Sequence, residues 1–433
     1  MTVPQGAAVS IGAVLGTGVI ALPALGAQAA GPASLLAWAA LILLSVPLAA
    51  TFAALGARYP DAGGVSTYVR TAFGARAATV VGWCFYLAVP AGAPPAAMFG
   101  GAYVAAVLGG GMRTTLITSA LMIVAVTVMN AGGVRISGRL QLGMAAVLVT
   151  LLLTATLSAL PHGHLANLHP FAPHGWLAIG PAAAVLVWGF AGWEAVTSLA
   201  ADFRHPQRDV PRASAVAVVV VGLLYLGVAG SSVLVLGPAA ATTQAPLAEL
   251  LAIGLGAPAR IVTAAVAVLL TLGAMNAYFA GAARLGAALG RDGALPAWFA
   301  RGSSAGEIPR RSLATLAALS GLSLSIVAAT GAGARAPALL ATGSFVLVYV
   351  LSTAAAVRLL PRRSWSRRAA AVALAAVSVL LVMNGWYVLW ALAVAAAALL
   401  YAGRRTRRDP AAGTPGTEVE ADRPATSRVP SAS

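Results

Sequence analysis

The chain has 433 residues, 60% of them hydrophobic and 9% charged, with a mean hydropathy of +0.88. Those values lie far outside the range of soluble domains and identify a polytopic membrane protein. A net charge of +16 invites a nucleic-acid reading, but the placement of the arginines gives a simpler account.

Twelve apolar stretches are long enough to cross a hydrocarbon core of about 30 Å, which takes about 20 helical residues each. They fall near 6–29, 33–57, 77–108, 113–131, 139–160, 176–201, 212–236, 257–289, 312–330, 336–358, 367–384 and 385–403. The first follows a short, uncharged N-terminus with no small-residue cleavage site at the right distance, so it reads as a retained helix rather than a cleaved signal. Its centre is interrupted by Gly16-Thr17-Gly18. The second carries Pro47, and the third carries Pro90, Pro94 and Pro95 within a small-sided run that is either one wall of a pocket or a packing kink. Proline lacks an N–H and clashes with the preceding turn, so each of these frees a carbonyl. Cys84, the single cysteine, cannot form an internal disulfide and reads as packing. The fifth stretch offers Gln141, Thr150, Thr154 and Thr156 as polar side chains. His162, His164, His169 and His174 follow in a loose cluster whose spacing fits no zinc pattern, so they read as a surface loop.

The sixth stretch holds the string WGFAGWE, and Glu194 at its end is the one acid that the sequence puts within a span. An ionisable group there costs at least a few kcal/mol, so it must face a cavity or a partner rather than lipid. It is either a functional carboxyl or one hydrogen-bonded to loose backbone. Further on, 242–255 is too short and broken to cross and reads as an external lid or interfacial helix in which Glu249 is simply solvated. Asn276 in the eighth span either bonds within a pocket or ties two helices together. Residues 404–433, rich in Arg, Pro, Ser, Thr and Gly, have too little apolar surface to order themselves and read as a disordered cytoplasmic tail.

The stretches also contain a weak repeat, helices one to five against six to ten, marked by glycine interruptions at Gly16–Gly18 and at Gly189-Phe190-Ala191-Gly192. Five helices per unit is an odd number, so the second copy enters from the opposite face, the inverted-repeat arrangement of secondary transporters. Unwound backbone is tolerated at depth only where it is buried in protein or lines a wet cavity. A free amino acid has the complementary groups: a carboxylate for the N–H groups and positive helix end at Gly16–Gly18, and an ammonium for the carbonyls around Phe190–Gly192. Helices 367–403 lie outside the repeat and either support it or dimerise it. Of the 27 arginines, Arg113, Arg260 and Arg335 fall on one side and the other 24 on the other, with no lysine anywhere. The positive-inside rule then places both termini in the cytoplasm, with membrane lipid as a further contact of the arginine clusters.

Four motifs in order carry a family resemblance: LGTGVIALP at 15–23, RYPDAGGVSTYV at 58–69 with AFG at 72–74, WGFAGWE at 188–194 continuing into DFRHPQRDVPRA at 202–213, and ARLGAALGRDGALP at 283–296. The chain resembles the amino acid–polyamine–organocation (APC) superfamily, and within it most resembles the bacterial methionine and branched-chain amino acid exporters. The resemblance implies an all-α membrane protein of 12 transmembrane helices in the five-plus-five inverted-repeat (LeuT-like, or APC) fold, with helices one and six discontinuous and one transporter domain over 1–403. It also implies that Thr17 and Gly18, with Gly16, hold the substrate carboxylate. Ala191, with Gly192, would help hold the ammonium, while Trp188 and Phe190 would be gate or wall residues. Glu194 would link protonation to gating. Arg58, Asp202, Arg204, Arg208 and Asp209 would belong to an inner gate, or else be solvated charges that set orientation.

One departure matters. Some proton-coupled members place a lysine in the fifth helix, and this chain has none. A proton route through Glu194 remains open, as does a sodium site of carbonyls and hydroxyls such as those of Thr271 or Ser158. With no second buried charge to pair an ionic side chain, a neutral, apolar substrate such as methionine, leucine, isoleucine or valine is expected. The reading is a plasma-membrane exporter that uses alternating access, with a proton as coupling ion, no cofactor, no metal and no nucleic acid. An importer or exchanger of another amino acid or amine is the alternative. A catalytic set such as HExxH or paired aspartates within the spans, and the repeated filter of a channel, are both missing from the sequence.

Overall fold

In the computed structural model every regular element is helical among the residues it describes, which are 2–59, 64–133, 138–194, 197, 200, 203–304 and 307–408. Helices are what an apolar chain needs in lipid, because each backbone donor and acceptor is satisfied within its own segment. The first predicted span is two half-helices, α1 (Val3–Leu15) and α2 (Leu22–Ala30), joined through a tight turn at Gly18–Ile20. Then come α3 (Ser34–Arg58), the short α4 (Val65–Phe73), α5 (Ala75–Leu108), α6 (Gly111–Ala131) and α7 (Gly138–Ala159). The sixth predicted span starts as α8 (Ile179–Leu186), tightens over Val187–Phe190 and turns through Ala191–Glu194. After it run α9 (Pro206–Leu236), the lid helix α10 (Pro246–Leu255), α11 (Ala259–Arg291), α12 (Arg310–Thr330), α13 (Arg335–Leu359), α14 (Trp365–Met383) and α15 (Val388–Arg408).

Ten helices among the described residues are long and apolar enough to cross a membrane, against the twelve stretches expected. The difference lies in the two glycine-interrupted spans. A helix broken at its middle leaves no uninterrupted run of spanning length: α1 stands as a short helix, α2 runs on through a turn at Gly31–Ala33 into α3, and Trp176–Phe190 is short. The third predicted span stays one 34-residue helix through Pro90, Pro94 and Pro95. At the C-terminal end α15 continues to Arg408, so the first residues of the expected tail are helical. The rest of that tail lies outside the described residues, as do Asp202 and the side chain of Gln141.

The interior is built on α5, 72% of whose apolar window is inside the protein, and on α13 at 67%, whereas the last span, at 17%, is peripheral. Small residues let neighbours approach α5. A Cβ at Gly101 would lie 2.7 Å from the Thr115 carbonyl of α6, and one at Gly100 would lie 2.8 Å from Thr271 Oγ1 of α11. Between those two neighbours Asn130 Nδ2 donates to Asn276 Oδ1 at 2.8 Å, so Asn276 ties helices together. Leu43, Leu121, Leu157 and Leu223 stand exposed on the outside of the bundle, the pattern of side chains that meet lipid. The lid helix is packed rather than loose, with Leu247, Leu250 and Leu251 buried. Its Glu249, expected to be simply solvated, pairs with Arg260 at 2.6 Å.

A candidate substrate site at two broken helices

The two interruptions meet. Gly192 has φ +121°, a conformation in the region glycine favours, and a Cβ there would lie 2.7 Å from the Ala13 carbonyl oxygen. No other residue would let the turn after α8 close onto the end of α1. One phenol fastens the junction from behind: the Tyr225 hydroxyl of α9 contacts the Val14 carbonyl at 3.1 Å and donates to the Gly189 carbonyl. Tyr225 is fully buried and meets Trp38 and Phe190 edge to face, each with ring centroids 5.0 Å away. The carbonyls that each break releases therefore converge on a single hydroxyl.

Beside this junction lies a cavity of about 50 Å³. Gly16, Thr17 and Gly18 line it from the first break, and Trp188 and Ala191 from the second. Ala88, Val89, Gly92, Ala93 and Ala96 of α5 form another wall, so the proline-rich run contributes its small side chains to the site. Met275, Tyr278 and Phe279 of α11 and Phe345 of α13 complete the lining. Trp188 is held edgewise, since a Cβ at Gly18 would lie 2.6 Å from its Cδ1 and one at Gly92 would lie 2.9 Å from its Cη2. Its ring meets Phe99 at 6.0 Å and 88°. The start of α2 and the end of α8 both lie at the breaks. A helix N-terminal end is complementary to an anion and released carbonyls to a cation, so the breaks offer both complements of a zwitterion.

Three of the residues expected at the site stand behind it. Phe190 packs between Trp38 and Tyr225, with the Trp38 ring 5.9 Å away, and does not line the cavity. Gly192 and Glu194 are likewise outside the lining. Glu194 is half-buried, and its Oε2 accepts from the Gly192 N–H at 3.0 Å and from the Tyr349 hydroxyl of α13. The Gly192 N–H is shared, as it also points to the Tyr349 oxygen at 3.0 Å. Both readings of this acid thus have their contacts present: it caps loose backbone, and it joins the second break to α13. Tyr349 and Tyr225 were not singled out in the sequence. The signal was a tyrosine in mid-span, whose hydroxyl needs an acceptor, but the partners lie 155 and 36 residues away.

Arg58 is exposed at the end of α3, with its guanidinium over the Tyr59 ring, and lines a separate cavity with Gln207 and Ser364. Arg204 and Arg208 are exposed, and Asp209 sits in the first turn of α9. For the sodium alternative, Thr271 Oγ1 is buried with no hydrogen-bond partner, while Ser158 Oγ donates to the Thr154 carbonyl at 2.6 Å. No group of three or more His, Cys, Asp or Glu suited to a metal ion occurs among the described residues, the histidine loop included.

A family model described as amino acid permease matches residues 2–413. Among curated proteins, the uncharacterized amino acid permease YecA of Bacillus subtilis is 34% identical over 322 residues, 74% of this chain and 76% of its own length. The L-methionine/branched-chain amino acid exporter YjeH of Escherichia coli is 36% identical over 228 residues, 52% of this chain and 53% of its own. The branched-chain amino acid permease BcaP of Bacillus subtilis is 25% identical over 238 residues, covering 50% and 51%. The broken helices, the cavity between them and these matches agree: the chain is a multi-pass membrane transporter, not an enzyme, and belongs to the amino acid permease family of the APC superfamily.

Proposed function

We propose that this chain exports neutral, apolar amino acids, methionine, leucine, isoleucine and valine, by alternating access through two five-helix inverted repeats in the plasma membrane, with both termini cytoplasmic. The observation that carries the substrate reading is the lining of the cavity, which is built of small and apolar side chains with no Asp, Glu, Arg or Lys. A buried ionic side chain would find no partner there. The likeness to YjeH, a methionine and branched-chain exporter by name, and to BcaP, a branched-chain permease, points the same way.

A proton is the proposed coupling ion, and Glu194 its carrier. The acid bridges the second break to Tyr349, so a change in its charge acts on the contact between the unwound turn and α13. The carboxylate of a bound amino acid goes to Gly16–Gly18 and its ammonium to the carbonyl of Ala191. Trp188, braced on Phe99, closes the outer side of the cavity. Arg58 and Asp202 belong to the inner gate in this scheme, and α14 and α15 serve as lipid-facing support or a dimer surface.

The test is counterflow of labelled leucine or methionine in proteoliposomes, competed by a panel of amino acids and run with and without a proton or sodium gradient. Exchange is expected with neutral apolar competitors and not with arginine or glutamate, and absence of exchange with every neutral amino acid removes the substrate reading. Glu194→Gln is expected to keep exchange but lose its pH dependence. An unchanged pH profile would return the acid to the role of backbone cap. Import or exchange of a different amino acid or an amine is the competing reading, and the same panel separates the substrates.

A further inference from the structure

On the side of the bundle away from the arginine-rich loops lies a second, larger cavity of about 710 Å³. It is enclosed by α2, α5, the start of α6, residues 241–244 ahead of the lid helix, and residues 331–335 leading into α13. Its chemistry differs from that of the central cavity. Arg335 is the one charged residue lining it, and Gln28, Thr242 and Gln244 add amides and a hydroxyl. Met98 and Phe99 supply an apolar patch.

The arginine is out of place for a topology anchor. It is one of three on the arginine-poor side. Arg113 is exposed at the start of α6, and Arg260 is committed to Glu249 at 2.6 Å. Arg335 is half-buried and forms no ion pair among the described residues. A guanidinium fork facing a cavity with no carboxylate of its own is complementary to a planar carboxylate brought by a ligand.

The two cavities share an aromatic partition. Phe99 lines the outer one, Trp188 lines the central one, and their rings touch edge to face at 6.0 Å. A molecule that passes Trp188 outward enters the larger cavity directly, where it finds a cation, uncharged acceptors and an apolar surface. Those are the three complements of an amino acid with an apolar side chain.

We infer that this outer vestibule is a second binding site for the transported amino acid, with Arg335 taking the carboxylate, Gln28 or Gln244 the ammonium, and Met98 with Phe99 the side chain. The inference rests on the substrate reading proposed above and adds a station on the outer face alone. It predicts an asymmetry. Leucine counterflow is measured in right-side-out and inside-out membrane vesicles carrying the full chain, with the amount of protein normalised by immunoblot. Arg335→Gln is expected to raise the half-saturating leucine concentration about tenfold from the outer face, the loss of one charge-assisted pair, and to leave it unchanged from the inner face. Arg335→Lys retains the charge and is expected to recover most of the loss. Gln28→Ala, at an exposed position, is expected to give a smaller rise on the same face only, and it serves as the independent variant if Arg335→Gln fails to accumulate. Equal effects on both faces, or none on either, would overturn the inference. Absence of exchange by the unaltered protein would instead remove the substrate reading on which it rests.

Discussion

Tyr225 has one proton to give and two carbonyls within reach, Val14 O and Gly189 O. Removing the hydroxyl takes away the donor of the Gly189 carbonyl and the polar contact of the Val14 carbonyl, at a cost of about 1–3 kcal/mol. Tyr225→Phe is therefore expected to lower the melting temperature in detergent and to slow exchange more than it changes the half-saturating substrate concentration, because the cavity lining is untouched. Gly18→Ala tests the opposite side of the junction. Its methyl would lie 2.6 Å from Trp188 Cδ1, and such overpacking costs about 1–3 kcal/mol, so exchange in vesicles is expected to fall about tenfold. Glu194 was legible in the sequence because an acid in an apolar run is conspicuous, and so were Gly16–Gly18 because glycine pairs interrupt helices. The two tyrosines were not, since only the fold shows which carbonyl or carboxylate each hydroxyl meets. The family resemblance makes Phe190 a gate or wall residue, yet it does not line the cavity. In a tightened turn, successive side chains point to different sides, and Phe190 goes to the Tyr225 side.

The elements around the breaks differ in how firmly they are held. The lid helix α10 is tied at two places. The Arg260–Glu249 pair is partly solvated on both sides, at 44% and 32% exposure, and is worth about 0–1 kcal/mol. Tyr103 is fully buried and bridges two elements: its hydroxyl donates to the Ile20 carbonyl at 2.6 Å and accepts from the Leu247 N–H at 3.3 Å. The phenol links the lid to the turn that opens α2. Glu249→Gln is expected to leave exchange and stability nearly unchanged, whereas Tyr103→Phe is expected to speed amide hydrogen exchange over 246–255 with little change in α14. Equal exchange of the lid in both variants would remove the bridge. At this scale the breaks, the short non-spanning helix over 246–255 and the small-sided run of α5 were legible from composition alone. The two stretches read as glycine-interrupted are the ones that hold no uninterrupted helix of spanning length.

At the scale of the whole molecule, the proposed orientation rests on the arginines, which gather at the ends of α3, α11 and α13, the start of α14 and the last turns of α15. With Cys84 buried and replaced by alanine, a cysteine at Ser364 is expected to resist a membrane-impermeant maleimide in intact cells, and one at Thr243 to react. The reverse pattern would invert the assignment of inside and outside.

The wall that α5 presents to the central cavity, Ala88, Val89, Gly92, Ala93 and Ala96, has almost nothing left to remove. Apart from Val89 and the single methyl of each alanine, substitution there adds atoms. In the proposed site, Gly92→Ala is expected to narrow the range of accepted side chains by one methyl group, read by competition in counterflow. The range widens chiefly through the large lining residues, Trp188, Met275, Tyr278, Phe279 and Phe345. Under the proposed function, selectivity is thus directional: α5 tightens it by small steps, and the large residues around the rest of the cavity loosen it.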